Sequence, residues 1–345
     1  MDFLTSSLAA TLATFAVSAM AVWIAGARLA YVADALADRL KLARSIVGLV
    51  FLSTATSLPE IATTLTAAVQ QAQALVLNNL FGGIALQTAI LAMSDFWALG
   101  AITNYPRKAN HALEATLLVL MLGLVIVVLM VSEPVAIAGV GLGSILIAVV
   151  YGGALWLLRS YDGANDWVPV DLPDPDPLPF PAPTGLAHAS TRALMIQAGL
   201  ACAAILVFGI ALVLSAESLA VQSGLGTSFI GVTLLAAATS LPELTTSITA
   251  VRMGAYTLAI SNIFGSNLIM LVLVFPADIL FRSGPVLRAV EPMVLASLGF
   301  AIVVTAIFLT GLLIRRKPKL GKVGLDSILV LIGFLSSLLV YYHLR

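Results

Sequence analysis

Two carboxylates stand where an apolar sequence can least accommodate them. Glu60 closes the stretch Thr-Ser-Leu-Pro-Glu at 56–60, and Glu243 closes the same five residues at 239–243, each within an apolar run. A charged side chain at mid-span costs about 2.5–3.5 kcal/mol on insertion scales, and more if it faces lipid. Something must offset that cost. Pro59 donates no backbone hydrogen bond and its ring crowds the carbonyl of Ala55, so the carbonyls of Ala55 and Thr56 leave the helix ladder; Pro242 repeats the arrangement. Freed carbonyls are tolerated at membrane depth where they line a protein-buried or watery cavity. Two negative charges among several oxygens describe a site for a hard cation such as Ca2+, or for Na+ or protons in its place. The blander reading, two ordinary kinks beside neutral packing glutamates, explains one copy more easily than two at matched positions.

The elements that must position these residues are membrane helices. Of 345 residues, 60% are hydrophobic and 10% charged, and the mean hydropathy is +1.07. A soluble core of this length could not hide so much apolar surface, so the chain reads as an all-α integral membrane protein. Runs of about twenty apolar residues place ten transmembrane helices near 7–31, 46–69, 74–94, 110–131, 135–158, 193–220, 229–251, 256–281, 289–314 and 324–343. The start lacks a basic region and reads as a retained first span, not a cleaved signal peptide. Residues 159–192 hold a run of prolines and aspartates, expected to form an extended solvated linker. The chain therefore divides into a five-helix half at 1–158, the linker at 159–192, and a second five-helix half at 193–345.

The halves match. A shift of 183 positions aligns 56–95 with 239–278 without a gap, and 14 of the 40 positions are identical. Five spans is an odd number, so the second copy must lie upside down relative to the first, the layout of two inverted repeats with binding near the midplane. Lysine and arginine set the orientation. With the first residue outside, inside loops hold fourteen basic residues and outside loops three, Arg282, Arg288 and Arg345. Both termini are then outside and the linker cytoplasmic, with a bacterial inner membrane as the expected location.

These residues resemble the sodium/calcium exchanger family of the Ca2+:cation antiporter superfamily, whose two alpha repeats each carry a G-T-S-L-P-E helix followed by a G-N-x-x-G-S-N helix. Here the first elements read Thr-Ala-Thr-Ser-Leu-Pro-Glu at 54–60 and Ala-Ala-Thr-Ser-Leu-Pro-Glu at 237–243, and the second read Asn-Asn-Leu-Phe-Gly-Gly-Ile at 78–84 and Ser-Asn-Ile-Phe-Gly-Ser-Asn at 261–267. The resemblance implies that Glu60 and Glu243 are shared by Ca2+ and Na+. It implies that Thr56 and Thr239 offer carbonyls to Ca2+, that Ser57 and Ser240 are hydroxyl ligands of flanking Na+ sites, and that Ala236 and Ser266 complete the outer Na+ site, with Ser53 serving the inner one. The chain also departs from the family. Gly83 and Gln87 stand where a serine and an asparagine are usual, Met270 where an aspartate or asparagine is, and Ala55 and Ala238 replace glycines. A missing hydroxyl at Gly83 and a weak thioether acceptor at Met270 weaken the case for three Na+ per Ca2+.

Other polar residues carry less. His111, His188 and His343 show no ligand spacing. Asp34 and Glu217 match each other at span ends, as Asp95 and Asp278 do, and solvation at the interface is the expectation for all four. Glu114 is expected to pair locally with His111 and Lys108. Asn79 and Asn262 are expected to hold the broken helices together by hydrogen bonds, with direct ion ligation second, and Gly82 and Gly265 to permit close helix contact. Cys202 is the single cysteine, which rules out an intramolecular disulfide. Zero net charge argues against a nucleic-acid partner. No nucleophile with a base and no metal-hydrolase motif is present, so the chain reads as no enzyme and needs no cofactor. The reading is a secondary antiporter embedded in the lipid bilayer whose partners are inorganic cations. It exchanges a divalent cation, Ca2+ first, for Na+ or H+ by alternating access. A proton-coupled or monovalent cation exchanger is the alternative, and a cation channel a more distant one; the oligomeric state is left open.

Overall fold

Leucine- and alanine-rich runs free of proline form the long helices. In the computed structural model, which describes residues 7–106, 109–133, 135–137, 139–162, 186, 188–222, 236–314, 319–321 and 323–344, α1 covers Leu8–Leu40. Ser7 caps its start by accepting from Ala10 N at 3.3 Å, and Lys41, left-handed at φ 55°, ends it. The helix thus runs nine residues past the expected end at 31. Its polar extension is held by Arg44, whose Nε lies 2.6 Å from Asp34 and whose Nη2 lies 3.0 Å from Asp38.

The second span is broken as the proline required. Short α2 (Arg44–Ile46) passes through a π-helical stretch at Val47–Leu52 into α3 (Ser53–Thr56), and α4 (Leu58–Val69) follows with a 52° bend. Then come α5 (Gln73–Met93), α6 (Asn110–Met130) and α7 (Leu142–Asp162). In the second half, α8 covers Thr191–Gln222 and α9 Leu241–Arg252, the latter preceded by helical residues 236–239. α10 covers Tyr256–Val272, α11 Val274–Leu280, α12 Pro292–Leu313 and α13 Leu325–Leu344. The expected span at 256–281 divides at Leu273, where Pro276 has no amide to offer the carbonyl of Val272 four residues earlier. Eight described helices are long and apolar enough to cross a membrane, and the bent pair makes a ninth. The expected span at 229–251 starts outside the described residues, as does most of the linker.

The helix start expected at 135 is replaced by a hairpin, and a second hairpin leads into the last helix, which begins within one residue of its expected start. β1 (Ala136–Ile137) pairs with β2 (Val140–Gly141), and β3 (Lys319–Leu320) pairs with β4 (Val323–Gly324), both antiparallel. All four strands sit at positions related by the same 183-residue shift, and α7 and α13 begin at matched leucines.

Asp95 and Asp278 fasten these corners, which corrects the expectation that they are solvated. Both are buried. Asp278 accepts from Val286 N at 2.6 Å in its own half, and from Gly141 N at 2.7 Å and Ser144 Oγ at 2.6 Å in the other. Asp95 mirrors it, accepting from Ile102 N at 2.8 Å, Gly324 N at 3.1 Å and Ser327 Oγ at 2.7 Å. Each carboxylate therefore caps the last helix of the opposite half, where amides without helical partners and the helix dipole favour negative charge. Glu133 adds to one corner, accepting from Gly143 N at 2.7 Å. Burial pushes its carboxyl above the ordinary glutamate value, against the hydrogen bonds that lower it.

Helix α10 is the central pillar, buried along nearly its whole length. Gly265 is what lets it close on the second span, since a Cβ there would collide with Leu49 O and Ser53. Its counterpart Gly82 has no described atom within 4 Å of the same position, so the expected close contact is formed in one half only. Helices α1 and α8 pack on each other and reach the opposite half's glutamate helix through a matched pair of glycines. Gly26 abuts Thr245, and a Cβ on Gly209 would lie 2.5 Å from Pro59 Cγ.

Candidate cation-binding site

The chain around Glu60 and Glu243 follows one local rule twice. Ser57 N donates to Ser53 O at 3.0 Å and Ile61 N to Ser57 O at 2.9 Å; at the matched positions Ser240 N donates to Ala236 O and Leu244 N to Ser240 O, both at 3.1 Å. The helix ladder breaks at Ser57, between α3 and α4, where Pro59 has no amide to offer Ala55 O.

The breaks meet in the interior. Ser57, from the first half, donates to Glu243 Oε1 at 3.2 Å, as does Ser266 from α10, and the two hydroxyls lie 2.6 Å apart. Thr56 Oγ1 is held by Ser53 O at 3.2 Å and reaches Asn262 Oδ1 and Ser266 Oγ at 3.5 Å. Ser266 also reaches Ser53 O at 3.5 Å. Thr239 Oγ1 donates to Ala236 O at 3.0 Å. Glu60 lies beside Glu243 and Ser240. Both Glu60 oxygens, Glu243 Oε2 and Ser240 Oγ are buried without a partner. Native structures rarely leave such atoms unsatisfied.

Asn79 and Gln87 make no hydrogen bond to this cluster among the described residues, whereas Asn262 touches it through Thr56. Asn79 is half-buried and donates to Thr64 Oγ1 at 2.9 Å, while its buried counterpart Asn262 donates to Thr246 Oγ1 at 3.1 Å. Each asparagine therefore ties its helix to the glutamate helix of its own half. Gln87 is fully buried with neither amide atom hydrogen-bonded. The two departures Gly83 and Met270 touch: a Cβ on Gly83 would lie 2.9 Å from the Met270 sulfur and terminal methyl. The sequence reading passed over Asn267, which donates to Thr88 Oγ1 at 3.2 Å and has a buried, partnerless carbonyl oxygen; its signal lay in the Ser-Asn pair closing the 261–267 motif. Glu114 pairs with His111 at 2.9 Å as expected, and Ser261 on α10 donates to it as well, at 2.7 Å. Lys108 lies outside the described residues.

The sodium/calcium exchanger protein family matches residues 10–158 and 194–342. The chain belongs to this family. Its matched stretches end close to the linker on both sides. Among relatives of the exchanger, the Escherichia coli (strain K12) inner membrane protein YrbG is 33% identical over 115 residues, which are 33% of each chain. Sodium/potassium/calcium exchanger 1 of Bos taurus is 30% identical over 121 residues, 35% of this chain and 10% of that protein. The aligned stretch thus covers a third or less of these relatives. Among solved structures, the sodium-calcium exchanger NCX_Mj superposes with a TM-score of 0.69 at 17% identity, over 96% of this chain and 99% of that one. Native YfkE superposes at 0.58 and 14% identity, over 95% and 92%. At those identities the likeness concerns the fold. Exchanger family members are transporters, which sets the chain apart from enzymes.

Proposed function

We propose that the chain is a cation antiporter that carries a divalent cation, Ca2+ first, against Na+ or H+ at a center formed by Glu60 and Glu243. One observation carries this reading: two buried carboxylates, each beside a proline-broken helix, lie together with partnerless oxygens. Their charge of about −2 balances one divalent ion or two monovalent ones, so the ions compete for the same oxygens. An occupied, neutralised center crosses between inward- and outward-open states more easily than an empty charged one. The contact between Gly83 and Met270 favours the version with fewer Na+ ligands, in which protons serve as counter-ions.

Uptake of 45Ca2+ into proteoliposomes, driven first by an Na+ gradient and then by a pH gradient, tests the reading. Glu60→Gln and Glu243→Gln keep the shape and lose the charge, and each is expected to abolish exchange while leaving folding intact. Wild-type flux in both variants would overturn the assignment. A channel is distinguished by flux that neither saturates nor accelerates when the counter-ion is supplied on the opposite side.

A further inference from the structure

The two carboxylates that match across the halves at the ends of α1 and α8 have unlike surroundings. Asp34 is neutralised by Arg44 at 2.6 Å. Position 227, the counterpart of Arg44, holds threonine, and Glu217 makes no ion pair among the described residues. Glu217 instead lines a cavity of about 200 Å3 between α8, α4 and α5. Thr63, Thr66 and Gln70 from α4 and Asn79 from α5 give the cavity its polar wall, and Thr239, beside Glu243's helix, belongs to its lining. The hydroxyls of Thr63 and Thr66 donate back to Pro59 O and Ala62 O, so what they present to the cavity are oxygen lone pairs. A cavity whose polar wall presents threonine oxygens and one carboxylate with no ion pair among the described residues, and which reaches Thr239 at the ion center, suits a hard cation and repels an anion.

We propose that Glu217 is a recruiting residue, which draws cations into this cavity from the membrane face carrying the Gln71 turn and so raises their concentration at the Glu60–Glu243 center. The inference rests on the antiporter reading and adds a residue to it. Glu217 acts through its field and not as a ligand. It therefore alters the ion concentration at which the site fills, and salt weakens its effect. Asp34, already paired, contributes no such field at the opposite face.

The test uses the full chain in proteoliposomes, with Arg282→Cys labelling in a Cys202→Ala background to select vesicles that display this face. At low ionic strength, with a Debye length of roughly 20–30 Å, Glu217→Gln is expected to raise the half-saturating Ca2+ concentration about threefold or more, a loss that saturating Ca2+ overcomes. The difference should shrink in 0.5 M choline chloride, roughly the regime where screening falls within about 5 Å. Glu217→Asp should restore the wild-type value, and Asp34→Asn should not reproduce the defect. An unchanged half-saturating concentration in Glu217→Gln, or a shift that persists undiminished in high salt, would sink the recruiting role while leaving the antiporter reading intact. Wild-type vesicles without saturable, counter-ion-driven uptake would remove the antiporter reading and this inference with it.

Discussion

Met270 is the residue where this exchanger departs most from the pattern it resembles, and its side chain is fully buried over Gly83. A thioether filling the space beside a glycine that lacks a side chain removes two oxygens at once, so the two departures act as one. Met270→Asp is therefore expected to place a third carboxylate on α10, near the cluster that holds Ser266. Without a cation a buried unpaired charge destabilises, whereas a bound cation offsets it. The variant should lose thermal stability in cation-free detergent, regain it with added Ca2+, and show tighter divalent binding than wild type. If melting temperature and affinity both match wild type in the presence and absence of Ca2+, position 270 faces away from the site, and the carry-over of roles to α10 fails. Glu60 and Glu243 would still stand on their own geometry.

At the scale of elements, the corners fastened by Asp95 and Asp278 decide how the halves hold together. Each aspartate accepts three hydrogen bonds, two of them from the other half. Replacing either by asparagine turns one acceptor into a donor that faces an amide or hydroxyl already donating. Leaving such buried donors unmet costs about 1–3 kcal/mol each. Asp278→Asn and Asp95→Asn should each destabilise the protein by about 2–4 kcal/mol, read as a lower melting temperature in detergent, while the half-saturating Ca2+ concentration of the surviving protein stays put. A change in ion affinity without loss of stability would instead make them part of the ion path. The sequence held a signal for these caps. Val-Gly-Leu-Gly-Ser at 140–144 and Val-Gly-Leu-Asp-Ser at 323–327 repeat at the same 183-residue spacing, and both supply the glycine amide and serine hydroxyl that the aspartates take up.

For the whole molecule, the described loops gather at two ends. Gln71 accepts from Arg282 N at 2.8 Å and Ser283 N at 3.0 Å, and Asp278 joins the 141–144 corner to the same end. The 95–105 segment meets the 323–327 corner at the other. We propose from charge alone, through the fourteen-to-three basic bias, that the Gln71 end lies outside and the other end faces the cytoplasm. Single cysteines in a Cys202→Ala background check it: Arg282→Cys should react with an impermeant reagent applied outside, and Arg39→Cys and Asp174→Cys only from inside. Labelling of Asp174→Cys from outside would reverse the orientation.

The sequence by itself determined the membrane class, the repeat, the two helix breaks and the two glutamates, because each rests on local chemistry. A proline withholds its hydrogen-bond donor, a carboxylate in an apolar run needs compensation, and a twenty-residue apolar segment suits a bilayer wherever the rest of the chain goes. Tertiary structure alone decided which oxygens gather at Glu243, that Asp34 has an ion pair while Glu217 has none among the described residues, and that Asp95 and Asp278 are buried caps. Partners such as Ser57 and Glu243 lie 186 residues apart, and Asp278 and Ser144 lie 134 apart. The same aspartate at a span end reads as solvated or as a cap according to whether another half folds over it, and that depends on how the two repeats pack, which no local pattern encodes.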